Sequence, residues 1–457
     1  MTISRRHFLK LSANSLAGAS LGGMSLALSG IRAQAADTSG YKALVGVFLF
    51  GGMDNHDTII PHDSSSYQRW ASIRQSMVNS MGASRARDNL LPLTNPGGFG
   101  SRRFALPSEM AGLHRLFESG AASIVGNVGP LIEPTDRSSF DAESVRLPPR
   151  LFSHNDQQAT WMAGAPEGAS FGWAGLFADA AQQAGANPGA AFSTITTGGA
   201  DLLITGRDTA PYQVGEEGAA QAYILEDLEG DLGEAMRRHF AATGFRPGNL
   251  LRRDIADKLH ASYDANEQYN LATQSGGGAS TAFPPTPLGQ QLAAVANAIA
   301  VREQLGVSRQ IFTAAMGGFD THSAQARDLP MLQQELADAV EAFYQAMTEL
   351  GLEQDVTLFT TSDFGRTLAI NGDGTDHGWA AHHFIVGGAV QGGQIFGDIP
   401  EADFDHPQDA GGGRLIPTMS VEQFAAPMGA WFGLSEGELA SALPNLRNFD
   451  AGPNLFT

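Results

Sequence analysis

The 457 residues include no cysteine. Disulfides, thiolate metal ligands and cysteine nucleophiles are therefore excluded. Positive charge is scarce: 28 Lys and Arg stand against 48 Asp and Glu, a formal net charge of -20. So acidic a chain argues against nucleic acid and anionic membranes as non-specific partners. An anionic substrate would need a local cationic site. Long apolar runs are missing too, since nothing beyond the N-terminal segment approaches the ~18 apolar residues that a spanning helix needs. What remains is the composition of a globular chain, 42% hydrophobic and 17% charged, long enough for a large core and one large or two ordinary domains.

The N-terminus reads as a leader. Arg5-Arg6 is followed by His7-Phe8-Leu9-Lys10, a weakly apolar Ala/Gly/Ser/Leu segment from about 11 to 30, and Ala33-Gln34-Ala35 as a cleavage site. Residues 1–35 are expected to be a twin-arginine signal peptide and 36–457 a single α/β domain with no stable membrane span. The twin-arginine translocase would be a partner during export, and the protein periplasmic or secreted.

Tyr41 to Phe50 is a continuous apolar run and predicts a strand buried on both faces. Leu106 to Glu118 predicts a helix and Ala122 to Val128 a second buried strand, the βαβ pattern of a parallel sheet. Residues 62–103 read as a surface excursion. Residues 206–273 read as a helical insertion and 274–287, rich in Gly, Ser and Pro, as a linker. Beyond it come a helix from Leu288 to Leu305, a strand from Arg309 to Met316, a helix from Met331 to Leu350, and a strand from Val356 to Thr361. An apolar run follows at Phe384 to Val390, and a helix at Val421 to Phe432.

The residues suited to chemistry fall just past strand ends, where an open α/β sheet binds its ligands. Gly51-Gly52-Met53-Asp54 follows the first strand. Gly317-Gly318-Phe319-Asp320-Thr321-His322 follows the strand at 309–316, and Asp320 and His322, two apart on an extended loop, can face one side. Ser362-Asp363-Phe364-Gly365-Arg366 follows the strand at 356–361. A Gly/Asn/Asp-rich loop then delivers Asp376-His377 and His382-His383. Asp and His are the ligands that Zn²⁺, Mn²⁺ or Ca²⁺ accept. Asp54 could equally cap a helix or close an Asx-turn. Ser153 stands at a predicted helix N-cap, with Asp156 at the third helical position. It is either a cap or a nucleophile favoured by the helix N-terminus. His154 beside it could be a ligand or a base, or could simply hydrogen-bond to backbone.

The motifs FLFGGMD, SHNDQQ, MGGFDTH, TSDFGR and DHGWAAHH, with the twin-arginine leader and the WFG…LPNL ending, resemble the exported bacterial family called domain of unknown function 1501, over about residues 41–450. That family is grouped with the alkaline phosphatase and sulfatase superfamily. The resemblance implies a doubly wound, mostly parallel α/β sheet and a metal site at the strand C-termini. By position, Asp54 looks like the superfamily's first metal aspartate and Ser153 like its nucleophile. Asp320 and His322 look like the later ligand pair, Asp363 like the aspartate of its Asp-His pair, and His377 or His382 like the final histidine. There are departures: Phe364 stands where the pair's histidine belongs, the Asp320–His322 spacing is tight, and no cysteine can become a formylglycine. His154 or a histidine between 377 and 383 could replace the missing imidazole.

The expected activity is metal-dependent hydrolysis of a phosphate or sulfate ester, on an anionic small molecule or polysaccharide. Ser153 or a metal-bound water would attack, Arg366 would clamp a non-bridging oxygen, and His383 or His377 would protonate the leaving group. The alternative is a non-catalytic periplasmic binding or scaffold protein that keeps the fold and a structural metal.

Overall fold

The computed structural model describes residues 35–457, apart from 95–96, 216–217, 220–229, 233 and 236–249. Residues 1–34 of the expected leader lie outside the described residues, as does much of the expected helical insertion. Contacts divide the chain between Gln34 and Ala35, and the unit from Ala35 to Thr457 is described by itself.

β1 (Lys42–Leu49) lies in the middle of the sheet. Ala43, Val45, Val47 and Leu49 enter one apolar cluster, and Leu44 and Phe48 enter another. This is the two-residue period of a strand covered on both faces. The other main strands are β2 (Ala122–Gly129), β3 (Thr194–Thr196), β4 (Arg309–Met316), β5 (Val356–Ser362) and β8 (Ala381–Val386). They run in the order β2–β8–β5–β1–β4–β3 within a ten-stranded sheet. β4 and β5 flank β1 in parallel, with Val47 opposite Ala314 and Thr360. β8 is antiparallel to both of its neighbours. The segment between β5 and β8 carries no helix, only the hairpin β6 (Arg366–Asn371) and β7 (Gly374–His377). Without a crossover helix the chain returns antiparallel. The Gly/Asn/Asp-rich loop of the sequence is that hairpin, and the run expected at 384–390 forms its strand earlier, from Ala381.

Helices cover both faces. α1 (Ala111–Glu118), α4 (Pro287–Ala300) and α5 (Gln325–Glu349) pack Leu113, Leu292, Val295, Leu336 and Phe343 onto one face. α2 (His154–Ala163), α3 (Trp173–Gln183) and α6 (Val421–Phe432) pack Trp161, Trp173, Phe177 and Phe424 onto the other. The fold is thus a doubly wound α/β sandwich with a mostly parallel sheet. Thr286 caps α4 by accepting from the Gly289 N–H, and Pro287 occupies its first turn, where no N–H is needed. α5 begins at Gln325, ahead of the expected Met331, with Pro330 inside it. Residues 62–103 are not only surface. The helices Ser64–Ile73 and Gln75–Met81 bury Trp70 and Met77, with Arg74 buried at the junction between them. No helix among the described residues is long and apolar enough to cross a membrane.

Candidate metal centre

The loops after β1, β4 and β5 meet at the C-terminal edge of the sheet. Gly51 and Gly52 both have positive φ, 113° and 89°. A Cβ on Gly51 would collide with the Asp320 backbone, and one on Gly52 with the Phe364 ring. The double glycine therefore lets three loops close on one another.

Where they close, imidazoles converge on one carboxylate. His322 Nε2 and His377 Nε2 lie 3.1 and 3.2 Å from Asp320 Oδ1, and 2.8 Å from each other. His154 Nε2 lies 3.5 Å from Asp320 Oδ2. Donor atoms of His154, Asp320 and His377 all fall within 4.8 Å of one another. The far nitrogens face acceptors. His154 Nδ1 donates to Asp363 Oδ2 at 2.6 Å, His377 Nδ1 to the Phe152 carbonyl at 2.8 Å, and His322 Nδ1 faces Asp376 Oδ1 at 3.6 Å. Acceptors at Nδ1 of His154 and His377 place a proton there, and in their neutral forms the Nε2 lone pairs face Asp320. Between those lone pairs and the Asp320 carboxylate, a proton on Nε2 or a bound cation relieves the crowding, and Arg366 already offsets part of the Asp320 charge. Two imidazole nitrogens and one carboxylate, with His322 Nε2 beside His377, are a donor set suited to Zn²⁺ or a neighbouring divalent ion. Asp363 Oδ1 adds a buried oxygen with no partner among the described residues. The residues fit a metal.

The sequence builds this locally. His154 opens α2 and Gln158 follows one turn later, so both reach Asp363 Oδ2, Gln158 at 2.9 Å. Phe364 is fully buried, its ring 4.8 Å from that of His154 and 4.6 Å from that of His377. It forms the apolar floor of the cluster, beside the His154 imidazole that bonds Asp363. Phe152 has φ +73° and Arg150 φ +51°, left-handed values that bulky residues rarely adopt. The Asp363 hydrogen bond outweighs burial and holds the His154 pKa above the ordinary imidazole range. Burial lowers that of His377, against the Phe152 carbonyl. Burial raises the Asp320 pKa, but the Arg366 hydrogen bond and charge win and hold it below the usual carboxylate range.

Other expected residues lie elsewhere or do something else. Arg366 is buried and donates to Asp320 Oδ1 (2.9 Å), the Gly51 and Thr375 carbonyls (3.1 and 2.8 Å) and Thr375 Oγ1 (3.2 Å). It aims Asp320 and is not a free clamp. Asp54 is outside the cluster. It caps the turn Asn55–Asp57 and pairs in two-pronged fashion with Arg74, at 2.7 and 3.1 Å. His382 and His383 lie inside β8, away from the cluster. His382 Nδ1 accepts from the Asn127 N–H at 2.9 Å. His383 is packed between Trp161 and Phe424, and neither ring nitrogen has a partner among the described residues. Burial pushes both pKa values down to about 3. A neutral, enclosed His383 cannot protonate a leaving group at neutral pH. Ser153 occupies the N-cap position of α2 but caps no backbone N–H, and its Oγ donates instead to Asp156 Oδ2 at 3.1 Å.

Sequence reasoning missed Gln158, Arg74 and the Phe152 carbonyl. The spacing of Gln158 four residues after His154, and of Arg74 between Trp70 and Met77, were available signals. A backbone carbonyl turned by an unusual φ leaves none.

Fold and site together define an α/β protein with a histidine-rich, metal-type cluster at the strand ends. The chain belongs to the family described as Protein of unknown function (DUF1501), whose model matches residues 139–442. Among solved structures it is similar to the C-terminal periplasmic domain of EcEptC from Escherichia coli, at 10% identity over 92% of each chain and a TM-score of 0.35. It is also similar to PsFucS1 sulfatase from Pseudoalteromonas sp., at 11% identity over 81% of this chain and 73% of that one, TM-score 0.29. A mutant of alkaline phosphatase PafA is similar at 10% identity over 72% and 63%, TM-score 0.26. No curated protein matches the chain.

Proposed function

We propose that this protein is an exported, metal-dependent hydrolase of phosphate or sulfate esters, with a divalent ion held by His154, Asp320, His322 and His377. The observation that carries the reading is the convergence of three Nε2 atoms on Asp320, with an acceptor facing each Nδ1. Such an ion, when bound, polarises an ester oxygen and acidifies attached water. Around it, Asp363 and the Phe152 carbonyl fix two imidazoles, and Arg366 fixes the carboxylate. Ser153 is the candidate nucleophile. It stands at the N-terminus of α2, where an anionic oxygen is favoured, between the two residues that reach the cluster, and Asp156 Oδ2 is placed to take its proton. Export rests on the leader in residues 1–35, of which 1–34 lie outside the described residues.

A second reading, a metal-holding binding protein without turnover, is favoured by one observation: four of the five N–H donors of Arg366 are spent on protein groups. Turnover of aryl phosphates and aryl sulfates by Zn²⁺- or Mn²⁺-loaded protein separates the two. The hydrolase reading expects turnover that falls by ~10² or more in Ser153→Ala with metal content kept. A metal-loaded protein inactive on both ester classes would leave the second reading standing.

A further inference from the structure

Resting on the metal-centre reading above, we infer that the protein holds one divalent ion, and that the Arg74 guanidinium takes the part of a second cation at the neighbouring carboxylate, Asp54. Two concentrations of negative charge lie at this edge of the sheet. The first is Asp320 with its imidazoles, partly open to solvent. The second, Asp54 and Asp57, is buried, and its cations are already built in. Arg74 takes Asp54, and Arg85 takes Asp57 at 2.8 Å and Glu109 at 3.0 Å.

A carboxylate has about four lone-pair positions. Asp54 Oδ1 accepts from the backbone N–H groups of His56 and Asp57 and from Arg74 Nη2. Asp54 Oδ2 accepts from Arg74 Nη1 and Gln325 Nε2. Nothing is left to offer an ion. Nor can Arg74 swing aside, because its Nε and Nη2 also donate to the Leu368 and Thr367 carbonyls of β6, at 3.1 and 2.7 Å. An ion entering beside Asp54 would have to displace a buried guanidinium and leave those carbonyls unpaired, and each of the two is a destabilising step. Of the Asp54 and Asp57 carboxylate oxygens, only Asp57 Oδ2 is without a partner among the described residues, and one oxygen is far short of a coordination shell.

The two centres remain mechanically joined. Gln325 donates to Asp54, its Oε1 accepts from Thr375 Oγ1 at 2.7 Å, and Thr375 Oγ1 accepts from Arg366 Nε. Arg366 then holds Asp320. The Arg74–Asp54 pair is thus a fixed abutment behind the metal ligand.

The test is elemental analysis of the purified protein, stripped with chelator, reloaded with Zn²⁺ or Mn²⁺ and freed of excess by gel filtration. One ion per chain is expected, lost in His377→Ala and kept in Asp54→Asn. X-ray absorption at the metal edge of wild type gives an independent reading should Asp54→Asn fold poorly, and a single imidazole-rich environment is expected. Two ions per chain, or an environment averaged over an imidazole-rich and an oxygen-only site, would overturn the inference while leaving the metal-centre reading intact. No retained ion would overturn that reading and this inference with it.

Discussion

His383→Leu is a sharp probe, because the sequence makes His383 look like chemistry and the structure makes it core. The imidazole is fully buried between Trp161 and Phe424, with its pKa pushed down to about 3 by burial. In the unfolded chain it titrates near the ordinary value of about 6.5. Below that pH the unfolded state binds a proton that the folded state refuses until about pH 3. Stability is therefore lost as pH falls through the unfolded value, and is fully present above it. For this one group the loss is near zero at pH 8 and about 2 kcal/mol at pH 5. Leucine has no titration and no polar atoms to leave unpartnered, and it roughly conserves volume. His383→Leu should then match or exceed wild type at pH 8, and its stability should drop by about 2 kcal/mol less than that of wild type on moving to pH 5. Urea unfolding followed by tryptophan fluorescence, in chelator so that metal release does not enter, measures this. The same pH loss in both proteins would refute the burial argument. A folded, metal-loaded His383→Leu without the parent's turnover would return His383 to the chemistry.

Asp363→Asn removes the acceptor that orients His154, and should weaken Zn²⁺ affinity by about 10–100-fold in calorimetric titration. In wild type the same affinity should fall on acidification from above the ordinary imidazole range, since Asp363 raises the His154 pKa and a protonated ring cannot ligate. Gly52→Ala forces a side chain at φ 89° against the Phe364 ring. It should cost about 1–3 kcal/mol in denaturant unfolding and loosen metal binding, because Phe364 is the floor under His154 and His377.

Much of the scaffold was legible because it rests on local rules. The apolar run at 41–50 became β1 within a residue at each end, and the run at 309–316 became β4 as expected. Helix α6 formed over Val421–Phe432, as expected. Asp320 and His322 sit just past a strand end and His377 is the last residue of the hairpin strand β7, and such positions are revealed by sequence. Asp54 has the same placement and a different fate. Its outcome depends on Arg74, in a segment whose helices carry no strand signal, and pairings between such distant side chains leave no local trace. His382 and His383 looked like loop ligands because the apolar run was read from Phe384. Starting β8 at Ala381 puts both inside the sheet, and burial then decides their protonation.

The most direct test of the metal centre is a crystal structure of Zn²⁺- or Mn²⁺-loaded protein with data collected at the metal's absorption edge. The account predicts one anomalous peak, about 2.0–2.2 Å from the Nε2 atoms of His154, His322 and His377 and from an Asp320 oxygen, with Asp54 still paired to Arg74. A peak bonded to Asp54, or loaded crystals with none at Asp320, would contradict it.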